Sequence, residues 1–182
     1  KPRLCRDWSS DVCSSDLAIV MTGAGEQAFS AGQDLGETME FDAERAVEWI
    51  REWEHLYDLI RSLSKPLIAA LNGVAAGSAF QVALLCDFRI AHAGVRMGQP
   101  EINSGIASTT GPWVMREMIG LARTIDLTLT GRMMDAQECL SLGLVNKLVP
   151  KDQVMANRWR WRRSWRRSRR SPCASTRRAS AR

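Results

Sequence analysis

The sequence predicts an α/β fold in which largely parallel strands alternate with helices. The strongest evidence is the stretch from Lys65 to Asp87, where an apolar run, an Asn-Gly turn and a second apolar run follow one another. A shorter β-branched run, Ala18–Thr22, ends in Gly-Ala-Gly. Between these two segments, apolar residues recur at helical spacing. Because strands that alternate with helices pack as a parallel-rich layer, we expect one domain of this class.

The N-terminal half of this domain begins with a predicted buried strand at Ala18–Thr22. Gln27–Leu35 has no apolar period, and we predict a loop there. Asp42 can cap a long helix that runs to about Leu63. The apolar stripe of that helix consists of Ala46, Trp49, Ile50, Trp53, Leu56, Tyr57, Ile60 and Leu63.

The central stretch contains the second predicted strand. Leu67–Leu71 lacks clean alternation, as expected for a strand covered on both faces, and Pro66 suits its first position. Asn72-Gly73 predicts a turn. Phe80–Cys86 is predicted to be a tightly packed helix.

The C-terminal half continues the alternation. Further strands are predicted at Phe88–Ala91, at Val95–Ile102 (interrupted by Pro100) and at Leu144–Val149. Gly105–Gly111 is predicted to be a loop, followed by a helix with Pro112 in its first turn. Asp135 can cap a short helix, Ala136–Leu142, which Gly143 would terminate.

The composition divides the chain into three parts. Residues 1–17 contain RDWSSDVCSSDL (Arg6–Leu17), which looks like a translated sequencing adaptor, and we interpret them as a non-native leader. Residues 18–156 form the predicted core domain. Residues 157–182 are arginine-rich, and we interpret them as frameshifted or disordered. On this interpretation an authentic N-terminal portion is missing, and the domain is N-terminally truncated.

The formal net charge of +5 does not describe the core domain. Of the 25 Lys and Arg residues, 11 lie after residue 156, where there are no acidic residues; the remaining 14 face 20 Asp and Glu, a net charge of −6. Arginine interleaved with tryptophan is typical of nucleic-acid-binding arms. The same codons in a shifted frame can spell an Ala/Leu-rich amphipathic helix. We favour the frameshift and expect no nucleic-acid partner.

Cysteine usage and hydropathy indicate the compartment. Cys86 and Cys139 lie in apolar helical patterns and are interpreted as reduced core thiols, with no spacing typical of a metal site or a disulfide framework. No apolar run is long enough to span a membrane. We therefore expect a cytoplasmic protein with no membrane partner and no metal.

Three features could carry chemistry. The first amides of the helix after Gly77 have no partner within the helix and could hold an oxyanion, although on this stretch alone close packing is the better explanation for the small residues. The loop Phe29–Leu35 offers a second exposed amide beside a glycine. Glu101, between Pro100 and Ile102, offers a carboxylate, although an isolated Pro-Glu pair more often lies at the surface.

Four ordered motifs resemble one known family. They are AFSAGQDL (Ala28–Leu35), NGVAAGSAFQVALLCDFRIA (Asn72–Ala91), GQPEI (Gly98–Ile102) and DAQECLSLGLVNKLVP (Asp135–Pro150). In this order and at these distances they resemble the enoyl-CoA hydratase/isomerase (crotonase) family, over Ala18 to about Val154. The resemblance implies a crotonase-like (ClpP/crotonase) spiral of ββα units.

The resemblance also implies site residues. The amides of Ala31 and Ser78 would form an oxyanion hole for an acyl-CoA thioester carbonyl, although the family usually has glycine at the position of Ser78. Glu101 would be the acid/base residue. The loop would line the site of the CoA adenine. The substrate-binding residues expected on this basis are Ser30, Gly32, Gln33, Asp34, Leu35 and Gly77.

The main departure from the family pattern is Gln81, where related hydratases usually carry a second glutamate. A glutamine can position water but cannot exchange a proton at neutral pH. The expected reaction is therefore either hydration of a 2-enoyl-CoA or double-bond isomerisation, with Glu101 and Gln81 as the catalytic pair. Hydrolases and decarboxylases of the same fold remain open, as does a catalytically incompetent CoA-binding or assembly fragment.

The remaining expectations also follow from the resemblance. No cofactor is expected, because coenzyme A is part of the substrate. An acyl-CoA is the expected partner molecule, and the intact protein is expected to form a homotrimer or hexamer.

Overall fold

A computed structural model of the chain describes residues 18–108 and 110–156. The interpretations of residues 1–17 as a leader and of residues 157–182 as a frameshifted or disordered tail lie outside these residues. The strands are β1 (Ile19–Thr22), β2 (Ala28–Ser30), β3 (Leu67–Leu71), β4 (Val74–Ala76), β5 (Phe88–Ala91), β6 (Arg96–Gly98), β7 (Met133–Asp135) and β8 (Lys147–Leu148). The helices are α1 (Leu35–Thr38), α2 (Ala43–Ser62), α3 (Ser78–Leu85), α4 (Thr110–Ile119), α5 (Leu121–Thr130), α6 (Ala136–Ser141) and α7 (Gln153–Ala156), with a 3-10 helix at Pro100–Ser104.

The strands form two four-stranded sheets, ordered β1-β3-β5-β8 and β2-β4-β6-β7. Every pairing is parallel except that of β6 with β7. The first three successive pairs of strands, β1–β2, β3–β4 and β5–β6, each place their first member in one sheet and their second in the other. The chain then returns through helical structure. This is the predicted spiral of ββα units, and the predicted α/β class is confirmed.

Asn72 joins two successive turns of this spiral. Its side-chain oxygen accepts a hydrogen bond from the Gly23 amide at 3.1 Å, and its side-chain nitrogen donates to the carbonyls of Gly23, Gly25 and Ala28 at 2.9–3.2 Å. Next to it, a Cβ on Gly73 would lie 2.0 Å from the Gln27 carbonyl oxygen. The predicted Asn-Gly turn is therefore a close crossing, and it fixes the chain that leads into β2.

The core is built around β3 and α3. All five residues of β3 are buried, as predicted for a strand covered on both faces. Phe80 on α3 is fully buried. The buried Arg89 guanidinium donates to the carbonyls of Ala83 and Leu84 near the end of α3 and to that of Leu144. Since the carbonyl end of a helix favours positive charge, Arg89 anchors α3 at its C-terminus.

The helix caps agree with the sequence. The Asp42 carboxylate accepts a hydrogen bond from the Arg45 amide at 2.8 Å at the start of α2. The Asp135 carboxylate accepts one from the Glu138 amide, also at 2.8 Å, at the start of α6. Gly143, with φ of 75°, follows the end of α6 as predicted.

Several boundaries were predicted incorrectly. The predicted loop Gln27–Leu35 contains β2, and the predicted loop Gly105–Gly111 ends in the first turn of α4. The helix predicted at Phe80–Cys86 begins earlier, at Ser78, and the strand predicted at Leu144–Val149 is reduced to β8. The strand predicted at Val95–Ile102 is reduced to β6, because Pro100 begins a 3-10 helix there. The sequence reasoning missed α1, β4, α5, β7 and α7. The short strands β2, β4 and β7 were missed because their hydrogen bonds are to distant segments, which a local pattern does not reveal.

Within the part of the chain that the structure describes, no helix has the length and apolar character needed to cross a bilayer. Cys86 and Cys139 are both buried, as predicted for core residues.

Candidate active site

The turn between β4 and α3 is the centre of the site. Gly77 adopts φ of 59° and ψ of −129°, a backbone conformation that is accessible mainly to glycine. Its amide donates to the Gly98 carbonyl at 3.0 Å. A Cβ at this position would lie 3.2 Å from Glu101 Oε1 and 3.9 Å from Oε2. Gly77 therefore lets the Glu101 carboxylate approach the main chain at the start of α3.

The loop after β2 packs against the same turn. Gly32 has φ of 95°, and a Cβ there would lie 2.8 Å from the Ala76 carbonyl oxygen and 3.4 Å from the Ser78 amide nitrogen. The two segments that the sequence analysis expected to cooperate are thus in contact. Ala31, the residue before Gly32, is exposed. Among the described residues, no hydrogen bond from the Ala31 or Ser78 amide is found.

The other predicted binding residues of this loop mostly hold the loop itself. Ser30 Oγ accepts a hydrogen bond from the Gly32 amide at 3.2 Å. Asp34 caps α1 by accepting from the amides of the following turn. The Gln33 side-chain oxygen accepts a hydrogen bond from Trp49 Nε1 at 3.1 Å, which ties the loop to α2. Leu35, the first residue of α1, is 43% exposed.

Glu101 lies on the 3-10 helix rather than on a plain loop. Pro100 begins this helix, and Gly105, with φ of 68°, ends it. Glu101 Oε1 accepts a hydrogen bond from Gln99 Nε2 at 2.6 Å and from Gln81 Nε2 at 3.4 Å. Oε2 is buried and has no hydrogen-bond partner among the described residues. Burial raises the pKa of the Glu101 carboxyl, and the hydrogen bonds to it oppose this effect.

Gln81 is buried on α3 at the centre of a polar network. Its Oε1 accepts a hydrogen bond from the Tyr57 hydroxyl at 2.6 Å, while its Nε2 donates to Glu101 and to Ser108 Oγ. Gln99 Nε2 donates to the same Ser108 Oγ at 2.6 Å. The pKa of the Tyr57 hydroxyl is raised, first by burial and then by the charge of Glu101, so this phenol is neutral at physiological pH.

Sequence reasoning found Glu101 and Gln81 but missed three residues of this network. Tyr57 was assigned to the apolar stripe of α2, and Gln99 and Ser108 were given no role. The available signal was weak: Tyr57 is a polar-tipped residue within an otherwise apolar stripe, and Gln99 lies two residues before Glu101. A buried tyrosine hydroxyl usually has a partner, which is the clue that would have identified Tyr57.

A cavity of about 490 Å³ lies between α2 and α4 and borders this network at Tyr57. Its other walls include Arg61, Leu85 and Trp113. The Arg61 guanidinium lies 5.7 Å from the centroid of the Trp113 ring. The site therefore has a cleft beside Tyr57 with both apolar and charged walls.

The described residues contain no group of three or more His, Cys, Asp or Glu side chains that could hold a metal ion. The site consists of one half-buried carboxylate, two side-chain amides, two hydroxyls and a glycine turn at the start of a helix.

The spiral of ββα units, with a glycine turn before α3, is the crotonase-like fold that the sequence analysis predicted. The model of the enoyl-CoA hydratase/isomerase family matches residues 12–180 of the chain. The chain belongs to that family.

Relatives and solved structures agree with this assignment. The chain is 36% identical over 143 residues to the short-chain-enoyl-CoA hydratase of Clostridium acetobutylicum, a match that covers 78% of this chain and 55% of the relative. It is 33% identical over 138 residues to the crotonyl-CoA hydratase of Syntrophomonas wolfei, covering 75% and 53%. The crystal structure of enoyl-CoA hydratase from Bacillus anthracis matches with a TM-score of 0.78 at 32% identity, covering 83% of this chain and 59% of that one. The chain spans a little over half the length of these curated relatives.

Proposed function

We propose that this protein acts on an acyl-CoA thioester and transfers a proton next to the thioester carbonyl, through an enolate. The observation that carries the proposal is Glu101 Oε2, a buried carboxylate oxygen with no hydrogen-bond partner among the described residues, on a side chain that lies against the glycine turn before α3. Membership of the enoyl-CoA hydratase/isomerase family supports the thioester substrate.

The amides of Ala31 and Ser78 are proposed to stabilise the enolate oxygen. Ser78 is the first residue of α3, so its amide has no acceptor within the helix, and the helix dipole favours negative charge there. The close approach of Gly32 to the Ser78 amide, which a Cβ on Gly32 would meet at 3.4 Å, supports a shared site. One preorganised donor of this kind is typically worth about 3 kcal/mol of transition-state stabilisation.

Glu101 is proposed to carry the proton, since burial shifts its pKa upward, toward the range in which a carboxyl serves as both base and acid. Gln81 has no proton to exchange and is an auxiliary group. One carboxylate that removes and returns a proton suffices for double-bond isomerisation. Hydration requires Glu101 also to activate a water, which the Gln81 amide would help to position. The two relatives described above are named as hydratases, which favours hydration, whereas the single carboxylate favours isomerisation.

The remaining parts of the site are assigned as follows. The loop Ser30–Leu35 is proposed to line the CoA adenine, and Gly77 to lie beside the thioester. The acyl group is proposed to enter the cavity that Tyr57 borders. No cofactor is proposed beyond the coenzyme A of the substrate, and the protein is proposed to be cytoplasmic and to work as a homotrimer or hexamer.

The test is to incubate the purified 182-residue chain with crotonyl-CoA and, separately, with a 3-enoyl-CoA. The Glu101→Gln variant is the control, because it preserves the size of the side chain and one hydrogen-bond-accepting oxygen but removes the titratable carboxyl. Turnover of either compound that Glu101→Gln abolishes is the expected result. Binding of CoA by calorimetry without turnover of either substrate would instead support a CoA-binding fragment, and the catalytic proposal would be withdrawn.

A further inference from the structure

The two oxygens of the Glu101 carboxylate have different surroundings. Both amide donors, Gln81 Nε2 and Gln99 Nε2, contact Oε1, and neither contacts Oε2. Oε2 is buried and has no partner among the described residues. The carboxylate is therefore held by one oxygen, and the other is left for a reacting group.

This arrangement depends on which way the Gln81 amide faces. If the amide were turned over, its oxygen would point at the Glu101 carboxylate, and two acceptors would oppose each other without a proton between them. The Tyr57 hydroxyl, 2.6 Å from Gln81 Oε1, holds the amide in the donating orientation. The neutral phenol supplies the proton for this hydrogen bond.

We propose that Tyr57 is a positioning residue that acts through Gln81: it fixes the amide so that Glu101 is anchored at Oε1 and transfers protons only through Oε2. The inference rests on the proposed function, because the proton transfer by Glu101 is part of that function. The hydrogen bonds that join Tyr57, Gln81 and Glu101 do not depend on it. It gives Gln81 a specific role, that of a donor that keeps Glu101 ionised and oriented where a second carboxylate would repel it.

A competing role for Tyr57 is direct contact with the substrate, since the same side chain borders the cavity between α2 and α4. The two roles differ in one respect. If Tyr57 acts through Gln81, removal of its hydroxyl has no consequence once the Gln81 amide is gone. If Tyr57 contacts the acyl group, removal of the hydroxyl has the same consequence with or without Gln81. A double-mutant cycle separates these cases.

The variants are Tyr57→Phe, Gln81→Met and the double variant. Trp53→Phe is the matched control, because the Trp53 ring packs on Tyr57 at a centroid distance of 5.6 Å and Trp53 has no described hydrogen bond to the network. A thermal unfolding curve for each variant confirms that it is folded.

The first readout is the titration of the Glu101 carboxyl, followed by NMR of ¹³C-labelled glutamate and assigned with Glu101→Gln. It needs no substrate, so it tests the inference even if the proposed activity fails. In Tyr57→Phe the amide is free to turn, the carboxylate loses a donor, and the Glu101 pKa rises. The titratable groups near Tyr57 are Glu101, across the Gln81 amide, and Glu54, Asp58 and Arg61 of α2, which line the same cavity; α3 and α4 contribute Leu85, Thr110 and Trp113 there.

The second readout is the pH profile of turnover of crotonyl-CoA or the 3-enoyl-CoA, whichever the protein accepts. Tyr57→Phe is expected to lower kcat roughly fivefold, the effect of one hydrogen bond, with KM changed less than about twofold and the basic form of Glu101 reached at higher pH.

In the Gln81→Met background, Tyr57→Phe is expected to change neither the Glu101 pKa nor kcat. Trp53→Phe is expected to change neither in the parent. The inference is overturned if Tyr57→Phe leaves the Glu101 pKa unchanged, or if its effect on kcat persists in the Gln81→Met background.

Discussion

Replacement of Gly77 by alanine perturbs the site at the point where the backbone and Glu101 meet. A side chain at φ of 59° and ψ of −129° is strained by about 1–3 kcal/mol. The new Cβ would also lie 3.2 Å from Glu101 Oε1, closer than an ordinary contact, so the carboxylate would have to move. We expect Gly77→Ala to lose both stability and activity.

Gly143→Ala is the matched control. Gly143 also has a positive φ, 75°, but a Cβ there would meet nothing within 4 Å. Left-handed strain of about 1–2 kcal/mol is its only expected cost. At roughly 2–4 °C per kcal/mol for a domain of this size, the control should lower Tm by about 2–8 °C, and Gly77→Ala should lower it by at least as much.

The assays are thermal unfolding by circular dichroism and turnover of the accepted acyl-CoA. Gly143→Ala should retain the parent kcat. Gly77→Ala should lose at least about 100-fold, the cost of misplacing reacting groups by a distance of the order of 1 Å. A Gly77→Ala protein that is folded and turns over substrate at the parent rate would refute the claim that Glu101 works against this turn.

Three other substitutions test separate parts of the account. Gln81→Glu supplies a second carboxylate, and we expect the ratio of crotonyl-CoA hydration to 3-enoyl-CoA isomerisation to rise by about 100-fold, the lower end of what one general acid–base group contributes; an unchanged ratio would mean that Gln81 does not limit hydration. Ser78→Ala keeps the proposed amide donor, and kcat/KM should stay within about threefold, whereas loss of an oxyanion donor costs ~100-fold or more; a loss of that size would assign the donor to the hydroxyl. Glu101→Gln tests the effect of the carboxyl on stability. Burial raises the pKa of Glu101 above its usual 4.5. The protonated carboxyl below that pH costs the fold little, and the free energy of unfolding falls as pH rises from 4.5 through the raised pKa. The variant should therefore melt above the parent near pH 7 and no higher than the parent near pH 4, and equal Tm differences at both pH values would contradict the buried, ionising carboxyl.

Much of the fold could be predicted from local patterns. The residues of β3 and β5 were predicted correctly, and the caps Asp42 and Asp135 marked the starts of α2 and α6. These elements are long enough, or carry strong enough end signals, for a single sequence to reveal them.

The elements that were missed depend on distant partners. Ala28–Ser30 becomes β2 only because it pairs with β4, which is more than forty residues away in sequence. Its three residues carry no period, and the segment was predicted to be a loop. The division into two sheets likewise follows from pairings that no local window contains.

The site was predictable only in part. Glu101 and the Gly77–Ser78 turn were singled out through the four ordered motifs that resemble the family, because the local pattern at each position favoured a surface carboxylate or simple close packing. The partners of Glu101 were not found, because Tyr57 enters from α2, and a tyrosine in an apolar stripe gives no indication of where its hydroxyl points. The hydrogen bond from Tyr57 of α2 to the Gln81 amide depends on how α2 packs against α3, which the sequence pattern does not reveal.

The central claim, that Glu101 moves a proton next to a thioester carbonyl at this turn, is tested most directly by hydrogen exchange. Butyryl-CoA has an α-proton but no double bond, so it reports proton removal apart from hydration or isomerisation. The parent chain in D₂O should incorporate deuterium at the α-carbon, and Glu101→Gln should slow this by at least about 100-fold. Equal rates for the two proteins, or no exchange with the parent, would contradict the account.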